Sequence, residues 1–435
     1  MKLKILVTPG DGIGPEIVEQ AIGVLEEATQ AGGHTLELDY RRIGGVAIEK
    51  DGTPLPAGTL AAALDSEAVF LGAVGDDKFD SLPASKRPEA GLLGLRAQLG
   101  GFANLRPVFA FKELTVNSPL RPEIIDGTDI LFVRELLGGL YYGQPRGWDK
   151  EKGEGYNTMR YTRGEVERVA RTSFQLAQKR RKLVTSVDKA NVLEVSQLWR
   201  DTVIEVSKEF PDVKLEHQFV DAMSMHLMKR PRDFDVVVVE NTFGDILTDE
   251  ASVITGSLGM LPSGTVGGKI NLYEPAHGSA PKHANKNIAN PLATILTGAL
   301  LLRYSFGLEA EADAIVKAVR KVLEAYRNTP GTCGHLRRSD RVLAVQLYQR
   351  GVPLNKIENA LILAAARRLI RPADAPSLTT VRSLAYFLPI IEEVLEMEVA
   401  EEYFQYARQK LQRLRLSLIL TNNGHYHRSQ ACGVG

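Results

Sequence analysis

Asp245 and Asp249 stand four residues apart just past the apolar run FDVVVVE (234–240), so a helix there puts both carboxylates on one face. Two acids so placed repel, and a hard cation between them relieves the repulsion. Acids in a helix's first turns also suit its dipole without any metal. Four arginines occupy pointed positions: Arg96 in GLLGLR, Arg106 in ANLRPV, Arg134 near the end of the apolar run DILFVREL, and Arg146 in a glycine-rich loop. Guanidinium forks grip carboxylates with two prongs, so several converging arginines suit a substrate with two or three acid groups. Each alone is more often a surface ion-pair partner. Lys189 follows KLVTSVD and precedes ANVLEVSQLW, at the carboxyl end of a strand where α/β sites lie. Near a metal and arginines such an amine can act as a base; otherwise it is a solvated loop lysine. Tyr141 and Tyr142 could donate a proton or simply pack.

Two glycine-bearing segments suggest close approach to a ligand. GDGIGPE (10–16) spaces its glycines as G-x-G-x-G rather than the dinucleotide fingerprint G-x-G-x-x-G, and a tight strand-to-helix turn with an early proline explains it equally. YEPAHGSAPKHANKNIANP (273–291) is long, small-residue-rich and non-hydrophobic, and carries His277, Lys282, His283 and Asn290. Small residues let backbone approach a flat ligand, and His277 could stack on an adenine ring.

These residues need a scaffold, and the pattern predicts an α/β one. Strand-like runs LKILVTPG, LELDYRRI, AVFLGAVG, DILFVREL, KLVTSVDK, LEHQFV and FDVVVVE alternate with amphipathic helices, several runs being too uniformly apolar to have a wet face. Long helices are expected at 163–180, 192–209, 291–306 and 309–326, and residues 139–160 read as a surface loop or projecting hairpin arm. Basic and acidic residues balance at 53 each, which gives no overall field for nucleic acid or membrane. The balance is uneven: residues 1–330 hold 39 Lys/Arg against 44 Asp/Glu, net −5, while the rest hold 14 against 9, net +5. A second piece is therefore expected near residue 330, mainly helical through 331–435, interrupted at RPADAP and disordered over 420–435. In it LAVQLYQRGVPLNKIENALILAAARRLI loosely suggests a helix-turn-helix, the one weak candidate for nucleic acid. Both cysteines, Cys333 and Cys432, fall in this piece; with no apolar run of membrane-spanning length and no leader-like start, a cytoplasmic protein is expected.

Taken together, GDGIGPE, GLLGLR, NLRPV, VREL-x-GG-x-YYG, VDKANVL, VDAM, NTFGDILTDE and EPAHGSAP resemble, in order and spacing over about residues 1–328, the motifs of the 3-isopropylmalate dehydrogenases. These belong with isocitrate and tartrate dehydrogenases to the decarboxylating β-hydroxyacid dehydrogenases. The resemblance implies a two-domain α/β fold distinct from the Rossmann fold. Its first domain would be discontinuous, 1–101 plus 256–330, with 102–255 as the second and the site in their cleft. It implies that Asp221, Asp245 and Asp249 hold Mg²⁺ or Mn²⁺, that Arg96, Arg106 and Arg134 clamp the malate carboxylates, that Lys189 accepts the hydroxyl proton and that Tyr141 protonates the enolate. Glu89, Leu92, Leu93 and Val192 would form the substrate pocket. Ile13, Glu274, His277, Gly278, Ser279, Ala280, Lys282, His283 and Asn290 would bind NAD. Lys189 and Asp221 would reach into a partner subunit, so a homodimer is implied.

The implied activity is oxidative decarboxylation of 3-isopropylmalate to 4-methyl-2-oxopentanoate and CO₂, in leucine biosynthesis. Related tartrate- or isocitrate-like chemistry, or an inactive scaffold with a binding tail, are the alternatives. Two departures stand out. Lys282 occupies the place of an aspartate that hydrogen-bonds the adenosine ribose in the NAD enzymes, while NADP-using isocitrate dehydrogenases carry Lys-Tyr at this pair; a lysine attracts a 2′-phosphate, so NADP use is possible. After Asn328 the family's closing strand and helix are not recognisable.

Overall fold

The computed structural model describes residues 1–112, 115, 118–256, 258–286, 288–328, 343, 347, 350, 352–369, 384–396 and 403–411. Its strands in chain order are β1 (Lys2–Gly10), β2 (Thr35–Tyr40), β3 (Ala68–Ala73), β4 (Ala103–Phe109), β5 (Asp129–Glu135), β6 (Gly147–Asp149), β7 (Glu154–Tyr156), β8 (Leu183–Asp188), β9 (Lys214–Phe219), β10 (Val236–Val239), β11 (Gly264–Val266) and β12 (Asn271–Tyr273). Among the described residues ten of them form one sheet, ordered β2-β1-β3-β12-β11-β4-β5-β10-β8-β9. Strands from 2–73 and 264–273 make one half and strands from 103–239 the other. Antiparallel pairing of β11 with β4 joins the halves, Gly264 opposite Leu105. Within each half the outer neighbours run parallel, as in β1 with β2 and β3, and β8 with β9 and β10.

Full burial of AVFLGA in β3 and VVVV in β10 explains why these runs show no polar alternation: helices cover both faces. The first helices are α1 (Gly14–Ala31), α2 (Gly45–Asp51), α3 (Ala57–Asp65), α4 (Pro88–Leu99) and α5 (Pro122–Ile125); then come α6 (Arg163–Gln178), α7 (Glu194–Ser207), α8 (Val220–Lys229), α9 (Asn241–Thr255), α10 (Leu292–Phe306) and α11 (Glu309–Asn328). α10 is buried from Leu292 to Leu302. Gly298 lets α1 come close, since a Cβ there would sit 3.0 Å from Leu25. On the other half α6 starts with a capping box, Thr162 and Glu165 each bonding the other's backbone, which stabilises such a helix by about 1 kcal/mol. Its apolar face, Val166, Val169, Ala170 and Phe174, packs with Trp199 and Val203 of α7. Burying each such large side chain contributes roughly 1.5–3 kcal/mol.

The expected strands are all present, and the four long helices fall within two residues of their expected ends. Unexpected are β4, β11, β12 and the short helices α2 to α5. The 139–160 segment is a short 3₁₀ turn followed by the β6–β7 hairpin, whose Trp148 is 74% exposed.

Two compact units divide the chain, Met1–Lys317 and Ala318–Gly435. In the second, the helix Leu354–Leu369 packs through Ala365 and Ala366 on Ala407 and Leu411 of the helix at 403–411, and Leu361, Ile391 of Leu388–Glu396 and Phe404 are buried. Ion pairs Arg350–Glu392 and Arg367–Glu393 tie its elements. The expected turn between helical runs is seen at Val352, whose N–H bonds to the carbonyl of Leu347. The helix after it buries Leu363, Ala364, Ala365 and Ala366 in succession. The RPADAP break and the 420–435 tail lie outside the described residues. No helix among the described residues is long and apolar enough to cross a membrane.

Candidate active site

Strand register assembles the charged cluster. β5 lies between β10 and β4, with Arg134 beside Val239 and opposite Asn104. Alternation then places Arg106, two residues beyond Asn104, on the face that carries Arg134. α9 leaves β10 on that face, capped by Glu240, whose carboxylate accepts from the N–H groups of Thr242 (3.0 Å) and Phe243 (2.5 Å).

Arg134 forks: Nε and Nη2 donate to Asn241 Oδ1 at 3.0 and 2.8 Å, and Nη1 pairs with Asp245. Arg106 donates to Asn104 Oδ1 (2.9 Å) and Thr248 Oγ1 (2.7 Å), and lies 3.9 Å from Asp245 and 3.7 Å from Asp249. Burial, with Arg134 nearby, pushes Arg106 down to about 10, still cationic at neutral pH. The Tyr141 hydroxyl donates to the other oxygen of Asp245 at 2.9 Å. Burial and then that carboxylate raise Tyr141 above the ordinary phenol value, which keeps its proton on. Arg146 donates to the carbonyl of Tyr141 (2.8 Å), bracing the loop.

Arg96, on α4, places Nε and Nη2 on one oxygen of Glu274 at 3.1 and 2.6 Å. The other glycine-rich segment packs against the first. Ile13 N–H donates to Ser279 O (2.8 Å) and Ser279 Oγ to Gly75 O (2.6 Å). Gly12 has φ +58°, and a Cβ there would meet Ser279 O at 2.1 Å, so only glycine allows this approach. Asp11, missed in the sequence, holds the turns around it: its carboxylate accepts from Gly45 and Val46 (2.8 Å each) and Gly75 (3.0 Å). Glu89 borders the same turn, 2.9 Å from where a Gly75 Cβ would be. This glycine-walled cradle fits the flat, phosphate-bearing shape of a nicotinamide dinucleotide. Glu274, His277, Gly278, Ala280, Lys282 and His283 follow one another along its loop, with Lys282 exposed. Asn290 is buried and bonds Gly259 O and Leu292 N–H, starting α10. Of the pocket residues, Leu92 leans on the core around Leu95, whereas Leu93 and Val192 are exposed.

Lys189, just past β8, donates to Asp221 in the first turn of α8 at 2.7 Å. That bond holds Asp221 below the usual carboxylate range. Within one chain this pair is not part of the Asp245 cluster, and among the described residues no three acids, histidines or cysteines gather as a metal site. The donors themselves suit Mg²⁺ or Mn²⁺, since Asp249 and Asp221 offer carboxylate oxygens with side chains 66% and 65% exposed.

The family described as isocitrate/isopropylmalate dehydrogenase matches residues 4–340, past the point near 328 where recognisable motifs end. A 3-isopropylmalate dehydrogenase of Aquifex aeolicus is 53% identical over 333 residues, 76% of this chain and 91% of that protein. One of Bacillus subtilis is also 53% identical over 333 residues, with the same shares. Among solved structures, an isocitrate dehydrogenase from Methylococcus capsulatus aligns with TM-score 0.68 and 35% identity, covering 80% of this chain and 99% of that one. A beta-decarboxylating dehydrogenase from Thermococcus kodakarensis gives 0.63 and 33%, covering 80% and 96%. With more than three quarters of its length inside the matched range, the chain belongs to the isocitrate/isopropylmalate dehydrogenase family.

Proposed function

We propose that the protein oxidises and decarboxylates 3-isopropylmalate to 4-methyl-2-oxopentanoate and CO₂, as a cytoplasmic homodimer serving leucine synthesis. The observation that carries this reading is the meeting of Arg106, Arg134 and Tyr141 on the acid pair of α9. Two guanidinium forks beside exposed carboxylates suit a di-acid bound next to a cation, and the names of the relatives supply the substrate. The switch of strand order at β11–β4 supports two domains, 1–101 plus 256–330 and 102–255, with the arginines at their seam.

Arg106 and Arg134 bind substrate carboxylates in place of the aspartates they now face, and Arg96 turns from Glu274 to do the same. Asp245, Asp249 and a partner's copy of Asp221 would hold the divalent cation. When bound, the cation supplies a Lewis acid and the nicotinamide a hydride acceptor. Lys189, also from the partner, accepts the hydroxyl proton as the neighbouring C–H bond breaks and the ketone forms. The β-carboxylate then leaves as CO₂, its bonding pair forming an enolate. Tyr141, still protonated, returns a proton to the enolate carbon. Exposed apolar side chains on neighbouring helices, Met225 of α8 and Ile246 of α9, support dimer formation.

Lys282 supports use of NADP beside NAD, because an exposed cation there attracts a 2′-phosphate. The test is oxidation of 3-isopropylmalate, isocitrate and tartrate with each cofactor, with Mn²⁺ and with EDTA. Turnover of 3-isopropylmalate abolished by EDTA is expected, with Lys282→Asp lowering kcat/KM for NADP by about tenfold or more. No turnover of 3-isopropylmalate with either cofactor overturns the assignment. A variant as active with NADP as the parent removes the role of Lys282.

A further inference from the structure

Asn241, 1% exposed at the start of α9, uses every polar position of its side chain. Oδ1 accepts from Arg134 Nε (3.0 Å) and Nη2 (2.8 Å), while Nδ2 donates to the carbonyls of Leu136 (3.1 Å) and Gly138 (3.0 Å). A carboxamide has two acceptor sites and two donors, and all four are spent. With Nε and Nη2 engaged, Arg134 has Nη1 left to face Asp245. The loop fastened at Leu136 and Gly138 carries Tyr141, whose hydroxyl meets the other oxygen of the same Asp245. One buried side chain thus stands behind two groups that converge on one carboxylate.

Asn241 is itself held from behind. Its backbone N–H donates to the Tyr161 hydroxyl (3.0 Å), which lies 3.4 Å from Glu240. Glu135, fully buried, accepts from the N–H groups of Leu137 (3.2 Å) and Gly138 (2.8 Å), so the loop is fixed from both sides. Glycines at 138 and 139 admit the tyrosine: a Cβ at Gly138 would fall 2.5 Å from its ring, and one at Gly139 2.6 Å from its hydroxyl. Gly244 does the same for Arg134, whose Cγ would be 2.8 Å from a Cβ there. A site set by such packing tolerates little displacement.

We propose that Asn241 is a positioning residue, its carboxamide locking the Arg134 fork and the 136–141 loop in one relation to Asp245 so that the substrate carboxylate and the Tyr141 proton are presented together. The inference rests on the reading of Arg134 as a substrate clamp and Tyr141 as the acid. Two variants separate its halves. Asn241→Ala removes acceptor and donors alike, whereas Asn241→Asp keeps an acceptor for Arg134 and loses both donors to the loop. Steady-state kinetics of the full-length protein with Mg²⁺, beside thermal melts, should show KM for 3-isopropylmalate raised by about ten- to a hundredfold in N241A, from loss of hydrogen bonds to a charged group. N241D should keep KM within about threefold while kcat falls by about tenfold or more, because the loop carrying the acid loosens. Cofactor KM should be unchanged in both.

A purely structural asparagine would lower the melting temperature and the active fraction in both variants and leave substrate KM alone, and that pattern overturns the proposal. Arg134→Lys reports on the underlying reading. If R134K raises KM and folded N241A does not, the inference falls and the clamp stands. If R134K leaves KM unchanged, the clamp falls and the inference with it. Should N241A fail to fold, N241D decides, with kcat expressed per folded, titrated active site so that a loss of active fraction does not count: a value equal to the parent's overturns the proposal, and a fall at unchanged KM supports it.

Discussion

Glu135 carries a fully buried carboxyl directly after Arg134, and burial raises its pKa above the ordinary 4.5 despite the N–H groups of Leu137 and Gly138 and the partly exposed Arg168. The sign follows from proton binding. A carboxyl that holds its proton more tightly when folded contributes most where it is protonated, and that contribution declines as pH climbs from the unfolded value through the raised folded one. Glu135→Gln keeps an acceptor for the loop amides and removes the titration. Melting temperatures followed from about pH 4 to pH 8 should therefore fall less with rising pH in the variant than in the parent. Parallel curves would mean that Glu135 titrates alike in both states. Sequence spacing revealed none of this, since an acid after an arginine at a strand end reads as an exposed pair. Asn241 was hidden for a related reason: an asparagine opening a helix reads as its cap, but Glu240 caps α9, and the side-chain partners of Asn241 lie more than a hundred residues away.

Helices α8 and α9 are joined by Ser224 and Glu250 (2.9 Å), and each carries a large apolar side chain into solvent, Met225 and Ile246, the latter 63% exposed. Such groups on adjoining helices suit a second copy of the chain, and Lys189 with Asp221 lies apart from Asp245 within one chain. Ile246→Asp places a charge in that contact. Sedimentation should then report the monomer mass, and, on the proposal that each site takes its base and third acid from the other chain, kcat should fall by about a hundredfold or more. A dimeric, fully active I246D would sink the shared-site reading. At this scale much was legible: uniformly apolar runs such as AVFLGA and VVVV announce strands covered on both faces, and periodicity located α6, α7, α10 and α11. What escaped was short or antiparallel. β11 and β12 have three residues each, too few to show a period, and β4 contains Arg106 and Pro107, so its chemistry masked its conformation. The nearness of Arg106 and Arg134 to Asp245 depends on β4–β5–β10 register, which no local spacing encodes.

Each of the two units has a core of its own, and the second is more than an unstructured extension. Ile357, Leu361, Ala364, Phe387, Ile391 and Phe404 are all buried, and its described ion pairs join residues of that unit to one another. The charge asymmetry and the end of the recognisable motifs pointed to a change near residue 330, whereas the compact units part between Lys317 and Ala318; which helix faces are buried could not be read from an alanine-rich run such as LAAARRL. Stability that comes from separate cores need not be lost together. Differential scanning calorimetry of the full-length protein should therefore resolve two transitions. Saturating 3-isopropylmalate with Mg²⁺ should move one of them, since a ligand at about a hundred times its Kd stabilises only the unit that binds it, by about 2.7 kcal/mol. The transition left in place should belong to 318–435, which mass-resolved limited proteolysis between the two temperatures would identify by the survival of the other unit. A single transition that shifts as a whole would show instead that the two cores melt as one, and that the second unit shares the stability of the catalytic one.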